Sequence, residues 1–125
     1  MPVRVVDASV VAAIVFGEPE AERAATLIGN AELVAPTLLR FEVTNTAWKK
    51  IRRHVKQADL IAAGLRLALE LDIGYVEVDH EAVLDLAVEK GVTAYDASYL
   101  WLSRTLKAPL VTLDERLSAE RERMV

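Results

Sequence analysis

Val3-Arg4-Val5-Val6-Asp7-Ala8-Ser9-Val10 is the stretch that decides the fold. Its first four residues are largely β-branched and follow Pro2, the pattern of a short buried strand. The strand ends on a carboxylate, Asp7; Ser9 is placed to cap a helix running through Phe16, and Gly17 to stop it. Further strands are expected at Leu33-Val34-Ala35, closed by Pro36, at 73–78, and at 109–113. Helices fill the intervals. One runs from Pro19 to about Ile28, a long one from a Thr37 cap to about Val55, and one from Leu60 to Leu71. Asp79 caps a helix from His80 to Lys90 that Gly91 stops, and Thr93 opens another from Ala94 to Leu106. Lys56-Gln57-Ala58-Asp59 reads as a break, and Asp114 begins a last charged helix expected to fray after Glu120. Strands this apolar do not face water. The expectation is an α/β fold with a central parallel sheet of about four strands, covered by helices on both faces.

Composition narrows the chemistry. The chain has 125 residues, 53% hydrophobic and 27% charged, which excludes disorder and fits one domain over 1–125 with no repeat or linker. There is no Cys and there are only 2 His, so a metal would need oxygen ligands. With 15 basic against 19 acidic residues, the net charge of −4 excludes a general nucleic-acid coat but not a local basic patch. The apolar run from Val10 to Phe16 is too short to span a bilayer, and Asp7 interrupts a signal-like segment, so a cytoplasmic protein with no membrane contact is expected.

In open parallel sheets, ligands bind at the carboxyl ends of the strands, where Asp7 and Asp114 fall. Two further acids lie on helices. On the long helix, Phe41, Val43, Ala47, Trp48 and Ile51 are assigned to one side and Glu42, Thr46, Lys49 and Arg53 to the other. The helix 94–106 is apolar or aromatic nearly all round and so expected to be buried; Asp96 is its only acid and needs a partner there, for which a shared cation would serve. Each acid has an ordinary alternative: Glu42 a solvated helix face, Asp96 a first-turn residue favoured by the helix dipole, Asp7 and Asp114 helix caps. Gathered at one end of a sheet, four carboxylates would repel one another unless a divalent ion offset them, and hard oxygen ligands suit Mg²⁺ or Mn²⁺. Such an ion activates water and stabilises charge on a phosphoryl oxygen. A phosphodiester would then need basic guides, and Lys49, Arg52, Arg53 and Lys56 form the densest cationic cluster.

Four motifs carry a family resemblance: Val6-Asp7-Ala8-Ser9-Val10, Phe41-Glu42-Val43-Thr44-Asn45, Tyr95-Asp96-Ala97-Ser98-Tyr99-Leu100 and Val111-Thr112-Leu113-Asp114. In order, spacing and surrounding elements the chain resembles a PIN-domain ribonuclease of the VapC type, the toxin half of toxin–antitoxin pairs. The resemblance covers almost the whole chain. It implies a three-layer α/β/α domain and Mg²⁺- or Mn²⁺-dependent cleavage of single-stranded RNA. Asp7, Glu42, Asp96 and Asp114 carry over as the acidic, metal-holding site, and Ser9, Asn45 and Thr112 as residues that orient carboxylates. It also implies an antitoxin protein as partner and a homodimer. The helices of 37–71 are candidates for the contact, because Leu60, Ile61, Leu65, Leu67, Leu69 and Leu71 offer more apolar surface than one sheet face needs. One position departs from the pattern: where many relatives have a second Asp two residues after the last motif's Asp, this chain has Arg116.

Two other readings remain open on the sequence. A receiver-like signalling domain would share the size and the sheet, but it needs paired acids after the first strand and a Lys after the last, and neither is present. A PIN-like module that binds RNA or a partner without cutting would be marked by loss of an acid, and all four are retained.

Overall fold

The computed structural model describes residues 2–122. Four strands, β1 (Val3–Val6), β2 (Glu32–Pro36), β3 (Ile73–Val76) and β4 (Leu110–Val111), pair in the order β3-β2-β1-β4, all parallel. Seven helices connect and follow them among the described residues: α1 (Ala8–Val15), α2 (Ala21–Ile28), α3 (Leu39–Arg53), α4 (Ala58–Glu70), α5 (His80–Lys90), α6 (Ala94–Leu106) and α7 (Glu115–Glu122). Parallel strands need crossover connections, and these are right-handed. The chain steps from β1 to β2 to β3 in one direction and from β3 to β4 in the other. That reversal puts α1–α4 on one face and α5–α6 on the opposite face, the expected α/β/α layering. Accordingly α1 packs on α2, α3 and α4, whereas α6 packs on α5 and lies across β1 and β2.

The sheet's centre is the dry part of the molecule. Val5, Val6, Leu110 and Val111 are buried where β1 meets β4, with Val10, Ala13, Leu39 and Val43 among the core residues from the helices α1 and α3 and Leu100 and Leu102 from α6. Asp79 and Thr93 cap α5 and α6 as expected, accepting from the backbone N–H of Ala82 and Asp96. Gly91 ends α5 in the left-handed conformation, which costs glycine little.

Several expectations shift. Asp7, rather than Ser9, caps α1 by accepting from the Val10 N–H, and Ser9 lies inside the helix. The helix after Pro19 begins at Ala21, and α3 begins at Leu39 without a side-chain cap: the cap position falls on Leu38, which has no side-chain oxygen, while Thr37 is tied to the end of β3 by its N–H bond to the Val76 carbonyl. The expected break at 56–59 is a 3₁₀ turn at Val55–Gln57, with α4 already under way at Ala58. β3 and β4 are shorter than predicted, and α7 continues past Glu120 to Glu122. On α3 the buried face is Leu39, Val43 and Ala47, spaced by four, while Phe41 is 81% and Trp48 53% exposed. Phe41 is two residues from Val43, about 200° around the helix, and cannot share its side. The ends of α6 also emerge from the core, with Tyr95 66% and Leu106 44% exposed.

The packing of α4 on α1 depends on Gly64. A Cβ there would lie 2.7 Å from the Val15 carbonyl oxygen and 2.7 Å from a ring carbon of Phe16. The ring can move, but the backbone carbonyl cannot without shifting α1. Gly64→Ala should therefore destabilise the protein by about 1–3 kcal/mol of overpacking, outweighing the ~1 kcal/mol that alanine gains in a helix. Gly74→Ala is the contrast, since its Cβ would make only ordinary contacts, with Val34 Cγ1 at 3.4 Å and the Leu33 carbonyl oxygen at 3.8 Å. Urea unfolding of both variants checks this; equal midpoints would show that the α1–α4 contact is looser than described.

Candidate active site

The reversal of strand order places a crevice beyond the carboxyl ends of β1 and β4, the general position for ligands in open α/β sheets. The register pairs Val6 with Val111, so the next residue of each strand, Asp7 and Thr112, emerge side by side. Thr112 Oγ1 donates to Asp7 Oδ2 at 2.5 Å, and Ser9 Oγ donates to Asp7 Oδ1 at 2.6 Å. Ser9 Oγ in turn accepts from the Leu113 N–H at 3.0 Å, and Thr112 Oγ1 from the Asp114 N–H at 3.0 Å. Asp7 is 5% exposed and fixed by this web. Burial pushes its carboxyl above the usual range; the bonds from Ser9, Thr112 and Val10 pull it down, and the charge of Asp114 pushes it up again.

The other acids arrive on helices. Glu42, in the first turn of α3, accepts from Tyr99 Oη at 2.6 Å. Burial raises its pKa most; the Tyr99 bond lowers it, and the charges of Asp7 and Asp96 raise it. Burial likewise pushes the Tyr99 hydroxyl up, so it stays protonated and donates. Asp96, in the first turn of α6, is raised by burial and by Asp114, against the lowering charge of Arg116. The partner that Asp96 needs is therefore the Arg116 guanidinium, whose Nη2 lies 2.9 Å from Asp96 Oδ2 and 3.8 Å from Asp114 Oδ2. Asp114 also does the ordinary work of a cap: Oδ1 accepts from the N–H groups of Arg116 and Leu117 at the start of α7.

A groove of about 470 Å³ opens above these residues, lined by Ser9, Glu18, Glu42, Asn45, Lys49 and Asp114 among others. Asn45 forms its wall but donates to no carboxylate among the described residues, in contrast to Ser9 and Thr112. Of the basic cluster, Lys49 lines the groove, Arg52 stacks 4.8 Å from the Trp48 ring centroid, and Arg53 and Lys56 are exposed. A second hollow of about 310 Å³ on the other flank of Glu42 is walled by Leu38, Phe41, Asn45 and Tyr95. Sequence reasoning missed Tyr99 as a partner of Glu42; the available signal was a tyrosine on a buried helix, whose hydroxyl needs a bonding partner. It also missed the outward-facing aromatics Phe41 and Tyr95, and Lys50, which pairs with Glu18 at 3.0 Å beside the groove.

Among the described residues, no three acidic or histidine side chains stand close enough to grip an ion as they are. The donor chemistry nevertheless fits a hard divalent cation. Asp7, Glu42 and Asp96 are each held above their ordinary pKa, in part by another carboxylate's charge, and a cation would relieve that repulsion.

The PIN domain family matches the chain over residues 4–121. Ribonuclease VapC3 of Pyrobaculum aerophilum is 36% identical over 121 residues, 91% of each chain. Exonuclease VapC9 of the same organism is 37% identical over 82 residues, 64% of this chain and 60% of that protein. The crystal structure of PAE2754 from Pyrobaculum aerophilum superposes with a TM-score of 0.77 at 27% identity, covering 94% of this chain and 84% of that one.

The raised carboxyls set a pH dependence. A carboxyl whose pKa is higher when folded binds its proton more tightly in the folded state. Without metal, stability should therefore rise as pH falls through the raised values of Asp7, Glu42 and Asp96 toward their ordinary values, 3.8 for Asp and 4.5 for Glu, and that gain should be absent at neutral pH. Asp7→Asn should flatten this trend, and at pH 7 the variant should be at least as stable as the parent. Thermal melts in chelator from pH 7 to pH 5 measure it; a large loss of stability in the variant at pH 7 would mean that Asp7 is a structural cap before it is part of a strained acidic site.

Proposed function

The chain belongs to the PIN-domain family, with VapC nucleases among its relatives, and from that premise we propose that it is a Mg²⁺- or Mn²⁺-dependent endoribonuclease acting on single-stranded RNA, the toxin component of a type II toxin–antitoxin pair. The observation that carries the reading is the convergence of Asp7, Glu42, Asp96 and Asp114 on the crevice beyond β1 and β4, close enough that the charge of Asp114 raises the pKa of Asp7 and Asp96 and their charges raise that of Glu42. Asp7, Asp96 and Asp114 would hold the ion, with Glu42 beside them. When bound, that ion supplies the positive charge that offsets the carboxylates and polarises a phosphoryl oxygen. The rest is done by the chain. Ser9 and Thr112 hold the Asp7 carboxylate in one orientation. Tyr99 occupies Oε1 of Glu42, and the raised pKa suits the other oxygen to take a proton from an attacking water. Lys49 on the groove wall, with Arg52, Arg53 and Lys56 beyond it, gives the phosphate backbone a path to the acids. Phe41 and Tyr95 offer exposed π-faces to unstacked bases, which a single strand has and a duplex lacks.

The family match over 4–121 supports reading 1–125 as a single PIN domain. The relatives' names support an antitoxin as partner. Leu60, Leu67, Leu69 and Leu71 remain exposed on and just after α4, which supports a homodimer through the helices of 37–71. No helix among the described residues is long and apolar enough to cross a membrane, in keeping with work in the cytoplasm.

Cleavage of a circular single-stranded RNA tests the reaction and separates an internal cut from attack at an end. Cutting should require Mg²⁺ or Mn²⁺, stop with chelator, and fall at least ~100-fold in Asp7→Asn and Asp96→Asn, since each loses ligand charge at the ion. Full activity of the Asp96→Asn protein would remove Asp96 from the site, and digestion of linear but not circular RNA would point to an exonuclease. Binding without cutting would favour the non-catalytic module.

The basic path is tested on the same RNA. Lys49→Glu combined with Arg53→Glu should weaken binding of every sequence and flatten its salt dependence, because phosphate contacts are largely sequence-independent. Both side chains are exposed, so the fold should persist. Unchanged binding at two salt concentrations would make this run an ordinary solvated helix end.

A further inference from the structure

Arg116 stands where its charge matters most. A single guanidinium nitrogen, Nη2, reaches both Asp96 Oδ2, at 2.9 Å, and Asp114 Oδ2, at 3.8 Å. The other oxygen of Asp114 is already committed to the backbone of α7. The oxygens that face Arg116 are therefore ones that a cation at this end of the site would also need.

We propose that Arg116 is a resident counter-ion of the Asp96–Asp114 pair, competing with the divalent ion for these carboxylates, so that metal binding requires the guanidinium to leave. This rests on the reading of the acids as a divalent-cation site and goes beyond it, by assigning a role to the one position where the chain departs from the all-acid pattern. Three features support it. The anchor is firm: the Asp96 side chain is only 17% exposed, so its charge is poorly screened by water and draws a counter-charge strongly. The arginine is displaceable: its side chain is 69% exposed and lies in the first turn of α7, so it can swing into solvent without disturbing the core. The charges are unequal: one guanidinium faces two carboxylates, 2.9 Å from Asp96 and 3.8 Å from Asp114, so a single positive charge is set against two negative ones. A divalent ion has more charge to offer the same oxygens and wins at sufficient concentration. Arg116 thus raises the metal concentration at which the site fills, while keeping the metal-free site from being an unrelieved cluster of negative charge.

The experiment is a Mn²⁺ titration of the full chain without RNA, at pH 7 and low ionic strength, with free Mn²⁺ read by electron paramagnetic resonance. Three proteins are compared: the parent, Arg116→Gln, and Arg104→Gln as a control that loses the same charge from the far end of α6. Arg116→Gln should bind Mn²⁺ about three- to tenfold more tightly than the parent, the range for losing a partly exposed competing ion pair, and Arg104→Gln should match the parent. Equal or weaker binding by Arg116→Gln would overturn the proposal while leaving the metal site standing. Equal tightening in both variants would overturn it as well, by tracing the effect to net charge. Absence of Mn²⁺ binding in all three proteins would overturn both this proposal and the metal-dependent reading beneath it.

Discussion

The parallel register of β1 with β4 is the constraint on which the rest of the molecule depends. Pairing Val6 with Val111 brings the next residue of each strand together, and those residues are a carboxylate and a hydroxyl. A slip of one residue would turn every side chain of β4 to the opposite face. Thr112 would then no longer reach Asp7, and Ser9 would lose the Leu113 N–H that holds its oxygen. The same pairing is where the sheet reverses its winding, so the crevice and the carboxylate that serves it arise from one structural event. Burying Asp7 here is unfavourable for its charge. The hydroxyls and the capped N–H of Val10 reduce that cost without removing it, and the carboxyl stays above its ordinary pKa. A cation beside Asp7, as proposed, would relieve that residual cost.

Much of this was legible in the sequence because it is local. The caps at Asp79 and Thr93 depend on three or four neighbouring residues, and the strands at 3–6 and 32–36 on short apolar runs next to turn residues. What was misread depends on partners distant in the chain. Thr37 looks like a cap for α3, but its backbone is tied to the Val76 carbonyl at the end of β3 and the cap position falls one residue later, on Leu38. Ser9 looks like a cap for α1, but its hydroxyl is directed to Asp7 by the strand after α6. β4 ends at Val111, and the side chain of the next residue, Thr112, bonds Asp7. The sequence reading puts Phe41 and Trp48 on one side with Val43 and Ala47; on α3 the spacing of Leu39, Val43 and Ala47 decides which side is buried, and the two aromatics fall elsewhere.

The four acids of the candidate site were legible by type and motif, though not in how each is held. Nothing local to Glu42 announces Tyr99, which lies 57 residues away and reaches it only because α6 crosses β1 and β2 close to the start of α3. Asp96 was expected to need a cation; the structure supplies an organic one from α7, at a position the family pattern marks as acidic in many relatives. A reading by motif notes that Arg116 departs from the pattern. Only the fold shows that the departing side chain points back at the acids.

The site thus has two halves of different stiffness. Asp7 belongs to the sheet, is nearly inaccessible, and is fixed by Ser9, Thr112 and its own helix cap. Asp96 and Asp114 sit at the starts of α6 and α7, joined through an exposed guanidinium that can leave. A site with every ligand as fixed as Asp7 would confine four unscreened charges, and the fold would carry their repulsion whenever no cation was bound. A site with every ligand as loose as Asp114 would lack a defined place for an ion. Fixing one carboxylate on the core and leaving two on helix ends would give the proposed cation a reference point and let the remaining ligands adjust to it. On the proposed reading, the stability of the site rests on the β1–β4 half, and adjustment to a metal would fall to the helix-borne half.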